Sequence, residues 1–256
     1  MDYVKYNSKA WDNEVKIGNE WTKPVSSETI EAAKNGEWEI VLTPTKVVPK
    51  DWFGDLLNKK VLCLASGGGQ QGPVLAAAGA NVTVFDNSIE QLKSEEYVAK
   101  RDGLKIRTIQ GDMRDLSCFK NEEFDLIVHP VSNIFVDNII LVWNEASRVL
   151  KKGGRLLSGI ANPLLFIFDY NQLRRGIFEV MHSIPYSDLT SITTEELNKY
   201  INSNEPISFG HSLEDQIKGQ LDAGFVLTGF YEDDHGGISP LDKYIKTFIA
   251  TCAVKA

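Results

Sequence analysis

Two rhythms of apolar and polar residues alternate along this chain of 256 residues. Short apolar runs of strand length lie at Val61 to Ala65, Val82 to Phe85, Ile106 to Ile109, Phe124 to Val128 and Arg155 to Ile160. Helical spacing fills the gaps. Val74 to Ala78 predict a short helix that stops at Gly79. Ser88 and Gln91 predict a capping box for a second helix with Ile89, Leu92 and Val98 on its apolar face and Gly103 at its close. Asn138 to Leu150 predict a third, with Ile139, Val142, Trp143, Ala146 and Leu150 on one side. There Lys151 and Lys152 complement the helix dipole and Gly153 ends it. Strand and helix in turn predict an α/β fold, a doubly wound parallel sheet with right-handed crossovers.

The rhythm changes at both ends. Residues 1–58 form an N-terminal extension rich in aromatics, among them Tyr3, Tyr6, Trp11, Trp21, Trp38, Trp52 and Phe53. Within it a helix is predicted from Ser27 to Lys34, capped by Ser26 and terminated by Gly36, and a strand from Glu37 to Leu42. Either the extension buries area, or it is a lid that brings Tyr6 and Trp11 to a ligand. Residues 59–256 hold the main domain. Within them, residues 162–206, with the aromatic run Phe166 to Tyr170 and a helix capped by Thr193 and Glu196, read as an insertion roofing a substrate pocket. Ser212 caps a last helix with Leu213, Ile217 and Leu221 on its face. Val226 to Tyr231 and Tyr244 to Val254 then pair antiparallel, since no long helix parts them.

Composition narrows the partners. With 35 acidic against 27 basic residues the formal net charge is −8. That balance argues against a nucleic-acid partner, which leans on Lys and Arg neutralising phosphates, and favours a small molecule. Cys63, Cys118 and Cys252 lack metal-ligand spacing and read as buried free thiols of a reducing cytoplasm. The start of the chain has no signal-peptide pattern, and no apolar run reaches the ~18 residues of a membrane span, so no membrane role is expected. His235, within Asp233-Asp234-His235-Gly236-Gly237, reads as part of a polar loop, and no metal site is expected.

The chemistry gathers at residues 66–88. Ser66 to Gly72 hold four glycines, and Pro73 suits the first turn of the following helix. Glycines let backbone approach a ligand, and the helix start adds a positive dipole end. Asp86, 19 positions after Gly67, ends the second strand, where a carboxylate accepts from both ribose hydroxyls. An adenosine-containing ligand follows. Gly67 to Gly72 also satisfy the G-x-G-x-x-G pattern, so NAD(P) and S-adenosylmethionine stand level on this unit alone. Asp112 and Met113, just past the third strand, suit an adenine ring, the carboxylate facing its amine and the Met covering its face. His129 to Asn133 lie at a strand's C-terminal end, where open parallel sheets bind ligands.

Taken together, Ser66 to Gly69, Asp86, Gly111-Asp112-Met113, FDLIV at 124–128, Leu150 to Gly154 and Ala223-Gly224-Phe225 resemble the class I S-adenosylmethionine-dependent methyltransferase family. The turn LASGGGQQ at 64–71 is similar to that of bacterial members. The resemblance implies a Rossmann-like, seven-stranded sheet, mostly parallel with an antiparallel last strand. It implies cofactor contacts at Ala65, Ser66, Gly67, Gly69 and Gln70 for the methionine part and at Asp86, Asn87 and Ser88 for the ribose. Asp112 and Met113 would hold the adenine, and His129, Pro130 and Val131 the sulfonium end. Tyr6, Trp11, Asn133 and Tyr170 would face the substrate or serve the lid. The implied reaction is in-line methyl transfer to a small-molecule acceptor, with S-adenosylhomocysteine as product and His129 and His211 as candidate bases. Two departures stand out: Cys63 where the family usually has an acid, and Ala65 where it usually has glycine. The alternatives are an NAD(P)-dependent oxidoreductase and a non-catalytic S-adenosylmethionine-binding module. The sequence leaves the acceptor and the oligomeric state open.

Overall fold

The computed structural model describes residues 1–256, the side chain of Tyr170 excepted. The chain opens with helix α1, Tyr3–Ile17, which Asp2 caps by accepting from Lys5 N and Gly18 ends. The hydrophobic pattern missed this helix for a physical reason. Its buried face is Tyr3, Asn7 and Ala10, so a polar residue sits where periodicity needs an apolar one. Helix α2, Ser27–Lys34, has the expected cap, Ser26 accepting from Thr29 N. The strand expected over Glu37 to Leu42 is absent. Ile40 and Leu42 are buried, yet Leu42 gives its carbonyl to Val131 N at 3.1 Å, and only Val41 and Val47 form a bridge. The segment is a loop laid across the sheet's C-terminal end.

The core follows as β1 (Lys60–Leu64), α3 (Gln71–Ala77), β2 (Asn81–Asp86), α4 (Ile89–Asp102), β3 (Ile106–Gln110), β4 (Phe124–His129), α5 (Ile139–Val149) and β5 (Leu150–Ala161). Three local expectations change. The α4 capping box is half made: Ser88 Oγ accepts from Gln91 N, but the Gln91 side chain turns elsewhere and Ile89 is exposed. α3 begins before Val74, at Gln71. Lys151 and Lys152 do not end α5. They lie in an irregular stretch of β5, where two steps along β4 from Phe124 to Leu126 match five along β5 from Leu150 to Arg155, and Lys151 pairs with Asp125 at 2.8 Å.

After β5 come α6 (Tyr170–Arg174), β6 (Tyr186–Ser187), α7 (Thr194–Ser203) and β7 (Phe209–Gly210), with β6 and β7 forming a two-stranded sheet. A π-turn at Glu214–Lys218 then leads into α8 (Gly219–Asp222), β8 (Phe225–Asp233) and β9 (Phe248–Lys255). The π-turn shifts the phase of the last helix. Gln216, Gly219 and Gln220 point inward, while Leu213 and Leu221, expected inside, are exposed.

The seven strands run in the order β3-β2-β1-β4-β5-β9-β8, with β9 antiparallel to both neighbours and the other pairings parallel. This matches the expected seven-stranded, mostly parallel sheet. One face packs α2, α3 and α4 residues on Val61, Cys63, Val84 and Val128; the other packs α5 on Leu62, Leu64, Ile127 and Leu156, with Trp143 wholly buried. Cys63 and Cys252 are buried, whereas Cys118 is exposed, against expectation. Strand order reverses between β1 and β4, so the crevice opens at their C-terminal ends. Among the described residues no helix is long and apolar enough to cross a membrane.

Candidate active site

At that crevice lies a cavity of about 310 Å³. Its floor is the turn after β1. Ala65 leaves the strand with φ +46°, a left-handed conformation that explains why a glycine is usual there. Ser66 Oγ donates to Gln71 Oε1 at 3.1 Å, and Gln71 Nε2 reaches Val41 O, tying the turn to the loop across the sheet. Gly67 N donates to Asp86 Oδ2 and Ser88 N to Asp86 Oδ1, both at 2.9 Å. A Cβ at Gly67 would stand 2.6 Å from Gln91 Cβ and 3.0 Å from Asp86 Oδ2, so only glycine fits. Asp86 thus braces the turn and the start of α4 while keeping two of about four acceptor positions for a ligand. Burial pushes its carboxyl up; the amides of Ser88 and Gly67 pull the other way.

The cavity wall brings together ten residues singled out in the sequence as cofactor contacts: Ala65, Ser66, Gly67, Gln70, Asp86, Asn87, Asp112, Met113, Pro130 and Val131. It adds Trp11 from the extension. Asp112 is held in place by Arg114, whose Nη2 and Nε approach Oδ2 at 2.7 and 3.0 Å. Gln91, read before only as a capping residue, is 6% exposed and lines the cavity with no partner for Oε1. An orphaned buried acceptor beside a glycine cradle and a strand-end carboxylate fits an adenosine ligand rich in hydroxyl and amino donors.

Other expected contacts lie elsewhere. His129 is wholly buried, with Nδ1 at Leu64 O (2.9 Å) and Nε2 against Asn133 Oδ1, and neither it nor Asn133 reaches the cavity. His211 spends Nε2 on the carbonyls of Asn133 and Val136. A general base must reach the proton it takes, so the structure corrects both assignments. Burial also lowers the pKa of both rings. Gly69 faces backward, its N–H donating to Glu95; Ser88 is buried and bonds Asp12; Tyr6 Oη donates to Glu205 O at 2.9 Å. Tyr170 lies outside the described side chains.

The insertion does not roof the cavity: among the described residues, none of 162–206 lines it. The roof is α1, through Val4, Asn7 and Trp11. Asn7 Nδ2 donates to Ile207 O at 2.9 Å and its Oδ1 accepts from Ile207 N at 2.8 Å, so the insertion and the chain just after it brace α1 from behind. Sequence spacing does not signal a brace between residues 200 positions apart.

The end of the cavity away from Asp86 and Asp112 is apolar: Val41, Leu42, Pro44, Val131 and Phe248, with Thr43 and His235 as polar members. His235, expected in a plain polar loop, packs edge-on against Phe248 with ring centroids 4.7 Å apart. Its loop is fixed to the opposite wall by Asp233, which accepts from Thr45 Oγ1 at 2.5 Å and from Thr45 N and Lys46 N at 2.9 Å. Burial raises the Asp233 pKa, but these donors outweigh it and bring it down to about 2. Among the described residues, no cluster of His, Cys, Asp and Glu could hold a metal ion.

Comparison with known proteins bears on the family and the fold. Residues 62–158 match a family model described as a methyltransferase domain. The chain is 58% identical over 252 residues, 98% of each protein, to an uncharacterized methyltransferase, YbaJ, of Bacillus subtilis (strain 168). Its fold is similar to two solved structures of S-adenosylmethionine-dependent methyltransferases. The Mesorhizobium loti protein gives a TM-score of 0.62 at 12% identity over 80% of this chain and 95% of the other. A putative S-adenosylmethionine-dependent methyltransferase of Listeria monocytogenes gives 0.61 at 15% over 90% of this chain and 99% of the other.

Proposed function

The chain belongs to the class I S-adenosylmethionine-dependent methyltransferase family, and from that premise we propose that it methylates a small-molecule acceptor by in-line displacement. The size and lining of the cavity carry the small acceptor. It measures about 310 Å³, α1 lies along it through Val4, Asn7 and Trp11, and Leu42, Pro44, Val131 and Phe248 give it an apolar part of small-molecule dimensions. Bound S-adenosylmethionine supplies a methyl group already activated by its sulfonium. The residues that would hold it are Asp86 and Gln91 at the ribose, Asp112 and Met113 at the adenine, and the turn from Ala65 to Gln70 along the methionine part.

The chain's own residues then do three things. Pro130 and Val131 orient the reacting end toward the apolar half. Leu42, Pro44 and Phe248 exclude water from the acceptor, which favours attack in line. His235, the imidazole in the acceptor wall, takes the proton of an O–H, N–H or S–H nucleophile, the role expected of His129 and His211. α1 works as a lid, with Trp11 against bound ligand. We place the reaction in the reducing cytoplasm, in keeping with three free cysteines.

The test is transfer of labelled methyl from S-adenosylmethionine to a panel of phenols, thiols, amines and carboxylic acids, and to cell extract. Label in the small-molecule fraction supports the reading. Label in protein or nucleic acid overturns the small acceptor, and donor binding without transfer to any fraction points to a binding module. The nicotinamide reading of the glycine turn is set aside by the family; NAD(P)H should not bind.

A further inference from the structure

Glu95 lies in the middle of α4 and is wholly buried. Its Oε1 accepts from Gly69 N at 2.5 Å, behind the glycine turn, while Oε2 has no partner. α3 presses on it from another side: a Cβ at Gly72 would come within 2.7 Å of Oε2. The charged and titratable groups that face it are the Asp86 carboxylate of β2 and the Cys63 thiol of β1, with no cation among them. A carboxyl so placed is costly to bury, and an aliphatic residue would serve if packing were its whole task. It does not line the cavity.

We propose that Glu95 is a positioning residue for the methyl donor: it holds the glycine turn at Gly69 from behind, a support that β1, with Cys63 in place of an acid, does not give. This rests on S-adenosylmethionine as the donor. Burial, with the neighbouring Asp86 charge adding to it against the amides of Gly69 and Gln70, pushes the Glu95 carboxyl up to about 8. Its charge therefore changes across the neutral range, one turn's thickness from the ligand. Bound S-adenosylmethionine carries a positive sulfur and the product S-adenosylhomocysteine does not, so ionised Glu95 favours donor over product.

The experiment is calorimetric titration of wild type, E95Q and E95A with both ligands from pH 6.5 to 9, with thermal melts to confirm folding. E95Q keeps an oxygen for Gly69 N–H and should bind S-adenosylhomocysteine within threefold of wild type at pH 6.5, where Glu95 is neutral, whereas E95A loses roughly tenfold, the upper worth of one neutral hydrogen bond. Preference for donor over product, taken as wild type relative to E95Q at each pH so that ligand titration cancels, should rise roughly threefold or more up to pH 9. A flat relative preference overturns the proposal, as does E95Q binding at pH 6.5 tenfold weaker than wild type, or folded E95A with wild-type affinity. If E95A does not fold, the E95Q titrations decide alone. Wild type binding neither ligand would instead overturn the premise about the donor, and the proposal with it.

Discussion

Tyr3 and Asp137, 134 positions apart, are joined by a hydrogen bond of 2.7 Å from Tyr3 Oη to Asp137 Oδ1. Asp137 also receives Arg114 Nη1 at 2.5 Å, and Arg114 clasps Asp112 in the cavity wall. The roof helix is thereby latched to a carboxylate of that wall through two intermediaries. Burial disfavours the Asp137 charge, but Tyr3 and Arg114 outweigh it and hold the carboxyl below its usual range. Tyr3→Phe removes the latch and keeps the ring on Phe209. The hydroxyl's two bonds to Asp137, one donated to Oδ1 and one accepted from N, are lost together, and we expect S-adenosylhomocysteine to bind about three- to tenfold more weakly. Ligand should also protect α1 from proteolysis less than in wild type. Unchanged affinity and protection would remove the latch from the account.

Ala65 offers a gain rather than a loss. At φ +46° an alanine carries strain that glycine does not, so Ala65→Gly should stabilise the fold by about 1 kcal/mol. Thermal melts should show a rise of roughly 2–4 °C. A fall in Tm would show that the methyl's packing outweighs the backbone strain.

Asp86 accepts an amide N–H on each oxygen, which its amide counterpart cannot do. Asp86→Asn turns an NH₂ toward Gly67 N or Ser88 N, at a cost of about 1–3 kcal/mol in stability. Calorimetry should show S-adenosylhomocysteine binding weakened by roughly tenfold or more, a ribose contact and the shape of the turn being lost together. Wild-type affinity in the variant would place the ribose elsewhere.

Glu95 makes stability depend on pH. Its carboxyl stands near 8 in the fold against 4.5 for an ordinary glutamic acid, a raised value. The stability lent by its neutral form is therefore complete below 4.5 and is lost as pH rises through 8. Because E95Q cannot ionise, its Tm should gain on that of wild type between pH 5 and pH 9. An equal difference at both ends would place the charge-bearing group elsewhere.

The buried His129 and the cavity-lining His235 separate by kinetics once an acceptor is found. His235→Gln should lower kcat by about 10²-fold or more while leaving the Tm within about a degree of wild type. His129→Asn should cost about 1–3 kcal/mol in stability by stripping Leu64 O and Asn133 of their partner, yet change kcat only a few fold. The reverse pattern would return the base to His129.

Short-range chemistry was legible without coordinates. The run from Val61 to Ala65, the glycines after it and the carboxylate of Asp86 are set by strand length, backbone freedom and the reach of one βαβ unit. The parallel sheet of alternating strands and helices and the pairing of the last strands followed from those local rules, whereas the count of seven strands and the choice of donor came from the resemblance to a family. What failed had a common cause. Asn7, Gln91, Glu95, Gln216 and Gln220 are polar side chains turned inward, and a pattern that equates burial with apolarity reads them as surface. The latch of Tyr3 on Asp137, the brace of Asn7 on Ile207 and the approach of His235 to Phe248 join parts far apart in the chain or across a loop. The sequence by itself determined the class of fold and the meeting of the glycine turn with Asp86, because both are built from residues near one another along the chain. Only the tertiary structure decided what covers the cavity and which imidazole enters it, because those contacts exist only once distant segments have been packed together.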